Sequence, residues 1–174
     1  DPVSKAWAES AALLDKHREA RRLMFYPITE ALCREGGVPE APPASAFELL
    51  DVASGPGEAA LDIAEFLGPN VTVWCTDLVP DMVRIAAASA AARGIANARF
   101  HECPAENLPF DAGFFNAVIC QFGIMFFRDP EAGIREALRV LKPGGRAAYC
   151  VWGTRAANPI HRVIQDALDR YFPA

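Results

Sequence analysis

The sequence predicts an α/β fold: a doubly wound parallel sheet with helices on both faces and five legible strands. Three observations carry this. From Phe47 onward, short and nearly all-apolar runs alternate with stretches of helical period. Strands apolar throughout must be covered on both faces, which crossover helices achieve in a parallel sheet. Polar side chains gather at or just past the ends of these runs, at Asp51, Asp77, Glu106 and Gln121. Right-handed crossovers bring such ends to the edge where a doubly wound sheet binds ligands.

Taken in order, Ser4 is placed to cap a first helix with Trp7, Ala11 and Leu14 on one face. Pro27 at a helix start and Gly36-Gly37 at its end bracket a second, short helix. Residues 38–46, with Pro39, Pro42 and Pro43, read as a linker. Phe47–Val52 is then a strand, Glu58–Leu67 a helix stopped by Gly68-Pro69, and Val71–Thr76 a second strand. Pro80 opens an alanine-rich helix that runs to Arg93-Gly94. Ala98–Glu102 is the third strand, followed by an irregular loop to Gly113, and Phe114–Cys120 is the fourth. Asp129-Pro130 starts a helix with Ile134, Ala137, Leu138 and Leu141 on one face, ended by Lys142-Pro143-Gly144-Gly145. Ala147–Trp152 is the fifth strand, and Asn158-Pro159 begins a last helix whose Ile160, Val163, Ile164, Ala167, Leu168 and Tyr171 face inward. The chain thus divides into an N-terminal helical cap and linker (1–46), a ligand-binding core (47–152) and a C-terminal helix (153–174).

The 174 residues suit about one domain, and 52% hydrophobic content supplies a real core. A net charge of −5 argues against nucleic acid as the main partner. The longest apolar run is too short to span a bilayer, and no signal-peptide pattern opens the chain, so the expected place is the cytoplasm. Cys33, Cys75, Cys103, Cys120 and Cys150 are scattered singly, without metal spacing, and read as reduced thiols serving as small core residues.

The most informative stretch runs from Phe47 to Gly57, an apolar strand entering Asp51 and then the turn Ala53-Ser54-Gly55-Pro56-Gly57. Gly55-Pro56-Gly57-Glu58-Ala59-Ala60 satisfies a dinucleotide-binding pattern, with Asp77 twenty residues after Gly57. A dinucleotide, however, would bring two phosphates to this loop and the helix behind it. Asp51 at the loop's entry and Glu58 in the first helical turn oppose that. A ligand carrying an ammonium and a sulfonium gains from the same acidic wall. The charge pattern favours S-adenosylmethionine over NAD; the bland alternative is that Asp51 caps the turn and the glycines serve packing.

Five blocks, in order, make the chain resemble the class I S-adenosylmethionine-dependent methyltransferases, within them the type 11 and ubiquinone/menaquinone-biosynthesis branch. They are Leu49–Gly57, Thr76–Met82, Ala105–Phe110, Phe115–Gly123 and Arg139–Arg146. The resemblance covers about residues 47–152. It implies a Rossmann-like core and transfer of a methyl group to oxygen or carbon, less readily nitrogen, of a small apolar or aromatic molecule. It also implies roles. Ala53, Ser54, Gly55 and Gly57 hold the methionine moiety, and Asp51 orients its ammonium. Asp77 takes the ribose hydroxyls, while Leu78 and Met82 sandwich the adenine. The Ala105 amide, beside Glu106, meets the ring edge, and Gln121 lines the methionine and the transferred methyl. Such a site needs no metal.

Two departures stand out. Ala53 occupies a position that is often glycine. Pro104 stands where the family has an acid accepting from the adenine amino group, leaving that job to Glu106, to a backbone carbonyl or unfilled. The family's sheet has seven strands and only five are legible, so the chain reads as part of a longer protein. The histidines His17, His101 and His161 are the few candidate bases, and none is assigned as catalytic. Trp7, Phe25, Tyr26 and the Phe122–Phe127 segment are candidates for the acceptor pocket, with core packing as the alternative. Two other functions remain open: a nicotinamide-dependent oxidoreductase and a non-catalytic cofactor-binding domain.

Overall fold

A computed structural model describes residues 2–154 together with 157, 158 and 170. Its elements are α1 (Pro2–Lys16), α2 (Arg18–Gly36), β1 (Phe47–Val52), α3 (Glu58–Leu67), β2 (Val71–Asp77), α4 (Pro80–Arg93), β3 (Ala98–Glu102), β4 (Phe115–Gln121), a 3-10 turn (Ile124–Phe126), α5 (Pro130–Val140) and β5 (Leu141–Cys150). The five strands form one sheet in the order β3-β2-β1-β4-β5, every pairing parallel. The chain steps from β1 outward to β3, then returns to the other side of β1. The switch point therefore lies between β1 and β4, whose carboxyl ends are Val52 and Gln121.

Alternation along the strands sorts the core into two layers. Leu49, Val73, Cys75 and Ile119 pack against Ala60, Ile63, Ala64 and Leu67 of α3 and Leu32 of α2. Leu50, Val52, Val118 and Cys120 face the other way, onto Ala137 and Val140 of α5 and the loop residues Cys103, Ala105 and Leu108. Neighbours on one strand point to opposite covered faces, which explains the apolar pair Leu49-Leu50 in β1 and the apolar run Ala117–Cys120 in β4. α1 lies on α4, where Ala11 is buried with Val79, Met82 and Ile85, and Trp7 and Leu14 pack beside it as its face predicts.

Boundaries agree with expectation at β1, α3, α4 and β3; β2 runs one residue further, to Asp77, and β4 is shifted by one residue at both ends, to Phe115–Gln121. Three expectations are corrected. Ser4 does not cap α1, which already begins at Pro2. Pro27 does not open a helix: it lies inside the 19-residue α2. An interior proline forfeits a hydrogen bond and crowds the preceding turn, at ~3 kcal/mol or more. Contacts on both sides of it hold α2 together. Arg22 binds Asp62 at 2.7 Å before it, and Thr29 binds Gln121 at 2.9 Å after it.

β5 begins at Leu141 rather than Ala147 and ends at Cys150. The pairing moves from Phe115–Leu141 to Ala117–Arg146, so Lys142-Pro143-Gly144-Gly145 is an irregularity within the strand rather than a turn before it. Asn116 pins it, its Oδ1 accepting from Lys142 Nζ at 2.8 Å and from the Glu48 amide at 2.9 Å. The expected helix over residues 160–171 falls outside the described residues, apart from Arg170.

Candidate active site

The turn after β1 has an unusual backbone. Ala53, Gly55 and Gly57 have φ of 55°, 56° and 83°, all in the left-handed region. That accounts for a glycine preference at position 53, where alanine carries strain of about 1–3 kcal/mol. The loop is fixed from β2. Asp77 Oδ2 accepts from the Gly55 amide at 2.9 Å, Oδ1 accepts from the Val79 amide at 2.9 Å, and the Ser54 amide donates to the Thr76 carbonyl at 2.9 Å. A Cβ on Gly55 would meet nothing within 4 Å, so this backbone faces open space. Gly57 instead turns toward the protein, where a Cβ would lie 3.0 Å from Ala86 Cβ. It packs α3 against α4 and does not line the cavity described next.

A cavity of about 720 Å³ opens over the carboxyl ends of β1, β2 and β4. One half is lined by Asp51, Ala53, Ser54, Gly55, Asp77, Leu78, Met82, Ala105 and Glu106. The other half is roofed by Trp7, Phe25, Tyr26 and Thr29 of α1 and α2 and walled by Phe122, Met125, Phe126 and Phe127. The aromatic side chains expected at an acceptor pocket thus meet. Trp7 lies edge-on to Phe126 at 5.1 Å, and Phe25 tilts onto Phe122 at 5.3 Å.

Asp51 is 1% exposed, and its Oδ1 has no hydrogen-bond partner. Burial, and then the charges of Asp77 and Glu58, push its carboxyl up to about 8. Burial likewise raises Asp77, against the pull of the amides of Val79, Gly55 and Leu78. A buried, partnerless carboxylate oxygen is costly unless a donor or cation reaches it. The site therefore suits a positive ligand group. Glu58 contributes less to that than expected, because Arg21 pairs with it. The preference for a cation rests on Asp51 and Asp77.

The other expected residues divide. Met82 is buried and Leu78 exposed at the cavity lip, both lining it. Glu106 Oε1 accepts from the amides of Arg128 and Asp129 at 2.8 and 3.2 Å, so that oxygen supports the entry to α5. Gln121 Oε1 accepts from Thr29 Oγ1. His17 precedes α2 and His101 stacks on Trp74 at 5.4 Å; neither lines the cavity, and His161 lies outside the described residues. Sequence reasoning missed Arg21, Arg22, Asp62 and Thr29, which line the cavity because α2 crosses α3. The i, i+4 spacing of Glu58 and Asp62 was the available signal. All five cysteines are free thiols. Among the described residues no cluster has the makings of a metal site, and no helix is long and apolar enough to cross a membrane.

Comparison with known proteins places this geometry. Residues 49–145, more than half of the chain, match the family model described as "Methyltransferase domain". The chain is similar to a ubiquinone/menaquinone biosynthesis C-methyltransferase, UbiE, of Pseudomonas putida, 33% identical over 128 residues covering 73% of this chain and 48% of that protein. It is 39% identical to a demethylmenaquinone methyltransferase of Deinococcus radiodurans over 113 residues, 65% of this chain and 46% of that protein. The chain thus spans about half the length of the curated relatives it matches. A crystal structure of a putative S-adenosyl-L-methionine-dependent methyltransferase from Methanococcus maripaludis shares the fold. Its TM-score is 0.71 at 20% identity, over 95% of this chain and 72% of that one. A β3-β2-β1-β4-β5 sheet, an acid-flanked glycine turn at its switch point and a matching family model all agree: the chain belongs to the class I S-adenosylmethionine-dependent methyltransferase family.

Proposed function

We propose that this chain is the catalytic core of a methyltransferase that uses S-adenosylmethionine to methylate an oxygen or carbon of a small planar molecule such as a phenol or quinol. The observation that carries the reading is the pair Asp51 and Asp77. They face one cavity across the Gly55 turn, with Asp51 buried and one of its oxygens unpartnered. Asp51 Oδ1 receives the ligand's ammonium, the Ala53–Gly55 backbone lies along its methionine portion, and Asp77 accepts from the ribose hydroxyls. Leu78 and Met82 flank the adenine beside Ala105 and Glu106, and Gln121 stands between the two halves of the cavity.

When bound, S-adenosylmethionine supplies a methyl group activated by a positive sulfur: the acceptor–carbon bond forms as the carbon–sulfur bond breaks, and its electron pair leaves on sulfur. The protein's share is alignment and exclusion of water, worth about 7–11 kcal/mol in favourable cases. α1 and α2, within residues 1–46, form the acceptor side and close the cavity over Phe122–Phe127. The aromatic walls Phe25, Phe122 and Phe126 suit a planar acceptor with its own acidic hydroxyl. The names of the quinone-pathway relatives support a planar acceptor of that kind. A small molecule rather than nucleic acid is the partner that this enclosed, acid-lined cavity suits.

Calorimetric titration with S-adenosylhomocysteine tests the site. Wild type is expected to bind and Asp77→Ala to lose most of the affinity; unchanged affinity in that variant sinks the assignment. Thermal stabilisation by NAD(P) but not by S-adenosylmethionine would point to an oxidoreductase instead. Mass-spectrometric screening of phenols, quinols and amines then finds the acceptor. A cofactor-loaded protein that methylates none of them is a binding domain.

A further inference from the structure

Phe122 has φ of 60°, a backbone conformation that favours glycine, and it sits immediately after β4 in the cavity wall. Its amide donates to the Cys150 carbonyl at 2.9 Å, so the turn is held across to the end of β5. Its ring stacks on Trp152, with centroids 4.3 Å apart and planes 15° from parallel, and tilts onto Phe25 at 5.3 Å. Phe25 in turn meets Trp152 edge-on at 6.2 Å. Three rings from α2, the β4 exit and the segment after β5 thereby brace one another. The next residue is Gly123, where close approach demands glycine: a Cβ there would lie 2.6 Å from Ala53 Cβ. The chain thus places glycine where contact requires it, yet keeps a large ring at the adjacent position where the backbone disfavours one. Strain retained at a cavity wall, with the ring oriented by two partners, is the mark of a side chain kept for what it meets.

We infer that Phe122 selects the methyl acceptor: its ring, braced by Phe25 and Trp152, is the wall against which a flat aromatic acceptor lies, beside Gln121. The inference rests on the methyltransferase reading and adds to it the residue that discriminates planar from puckered rings. A flat π face stacks on a fixed aromatic ring, whereas a saturated ring of the same skeleton gains only area.

The test uses the protein loaded with S-adenosylhomocysteine and two probes, 1-naphthol and its saturated counterpart decahydro-1-naphthol, titrated into wild type, Phe122→Leu and Phe122→Gly. Leucine keeps apolar bulk without a planar face, and glycine adopts the left-handed backbone without strain, so a folding defect common to both is not expected. Wild type should prefer naphthol by roughly tenfold, the upper end of what an aromatic pair adds beyond buried area. Both variants should lose that preference while binding S-adenosylhomocysteine within about threefold of wild type, as separate sites do. Absence of a preference in wild type, or its survival in both variants, overturns the inference. Failure of wild type to bind S-adenosylhomocysteine, seen before any naphthol is added, overturns the methyltransferase reading itself and the inference with it.

Discussion

Ala53 and Gly123 fit so closely that a methyl group on Gly123 would lie 2.6 Å from the Ala53 Cβ and 2.9 Å from Cys120 Sγ. The exits of β1 and β4, 70 residues apart in sequence (123 minus 53), are thereby locked together at the switch point. Gly123→Ala should cost about 1–3 kcal/mol of stability, the usual penalty of overfilling a packed site. Ala53→Gly should recover part of it, since it removes one of the two clashing atoms and the strain of φ 55°. Urea unfolding of the two single variants and the double variant measures the coupling. Additive losses would show that the two turns do not press on each other.

Asp77 holds the glycine turn as well as facing the cavity. Asp77→Asn can still accept at one oxygen, while Asp77→Ala releases both the Gly55 and Val79 amides. Hydrogen bonds to a charged group contribute about 1.5–3 kcal/mol each. Affinity for S-adenosylhomocysteine should therefore fall by roughly a hundredfold in the alanine variant and less in the asparagine one. Calorimetry of both variants checks the order, and equal affinities would separate Asp77 from the ligand.

Asp51 predicts a pH dependence with a definite sign. Its carboxyl ordinarily titrates at 3.8 and is pushed up to about 8 in the fold, chiefly by burial. The unliganded native state keeps a proton that the unfolded chain has released. This contribution to stability is fully present below 3.8 and is lost as pH rises through about 8. Stability of the unliganded protein should decline over that window, and Asp51→Asn should remove the component. A ligand ammonium favours the carboxylate, so S-adenosylhomocysteine affinity should rise toward the upper end of the same window in wild type but not in Asp51→Asn. Parallel slopes in the two proteins would place the ammonium elsewhere.

The roof is held by charge. Arg21 pairs with Glu58, and Arg22 and Arg93 share Asp62 at 2.7 and 2.8 Å, joining α2, α3 and α4. Glu58 is raised by burial even with Arg21 lowering it. Arg21→Met leaves a half-buried carboxylate uncompensated and should cost about 1–3 kcal/mol, between the exposed and buried limits for ion pairs. Protonation of Glu58 relieves that cost, so the deficit should be smaller near pH 5 than near pH 8. Unfolding measured at both values tests it.

Much of the core was legible because its signals are local. The boundaries of β1, α3, α4 and β3 follow from local patterns ended by the turn after Val52, Gly68-Pro69, Gly94 and the break after Glu102. Asp51, Asp77 and the glycine turn were readable as one site because strand ends in this topology converge. Two of the misplacements share a cause. Pro27 and Lys142-Pro143-Gly144-Gly145 each carry a strong local signal that a long-range contact overrides, whereas Ser4 fails as a cap because α1 already begins at Pro2. α2 continues through Pro27 because Arg22 and Thr29 anchor it to α3 and β4, and β5 starts early because Asn116 ties Lys142 to the neighbouring strand.

By itself, then, the sequence determined the first four strands to within a residue, the acid–glycine–acid order at the switch point and the kind of ligand charge that order favours. These depend on residue type and spacing alone. Only the tertiary structure decided that Asp51 keeps an unpartnered oxygen, that Glu58 is neutralised from α2, that Gly57 serves packing, and that Phe122 is held at φ 60° between Phe25 and Trp152. Burial, ion pairing and ring contact are properties of residues brought together from distant parts of the chain, and no local pattern encodes which of them will meet.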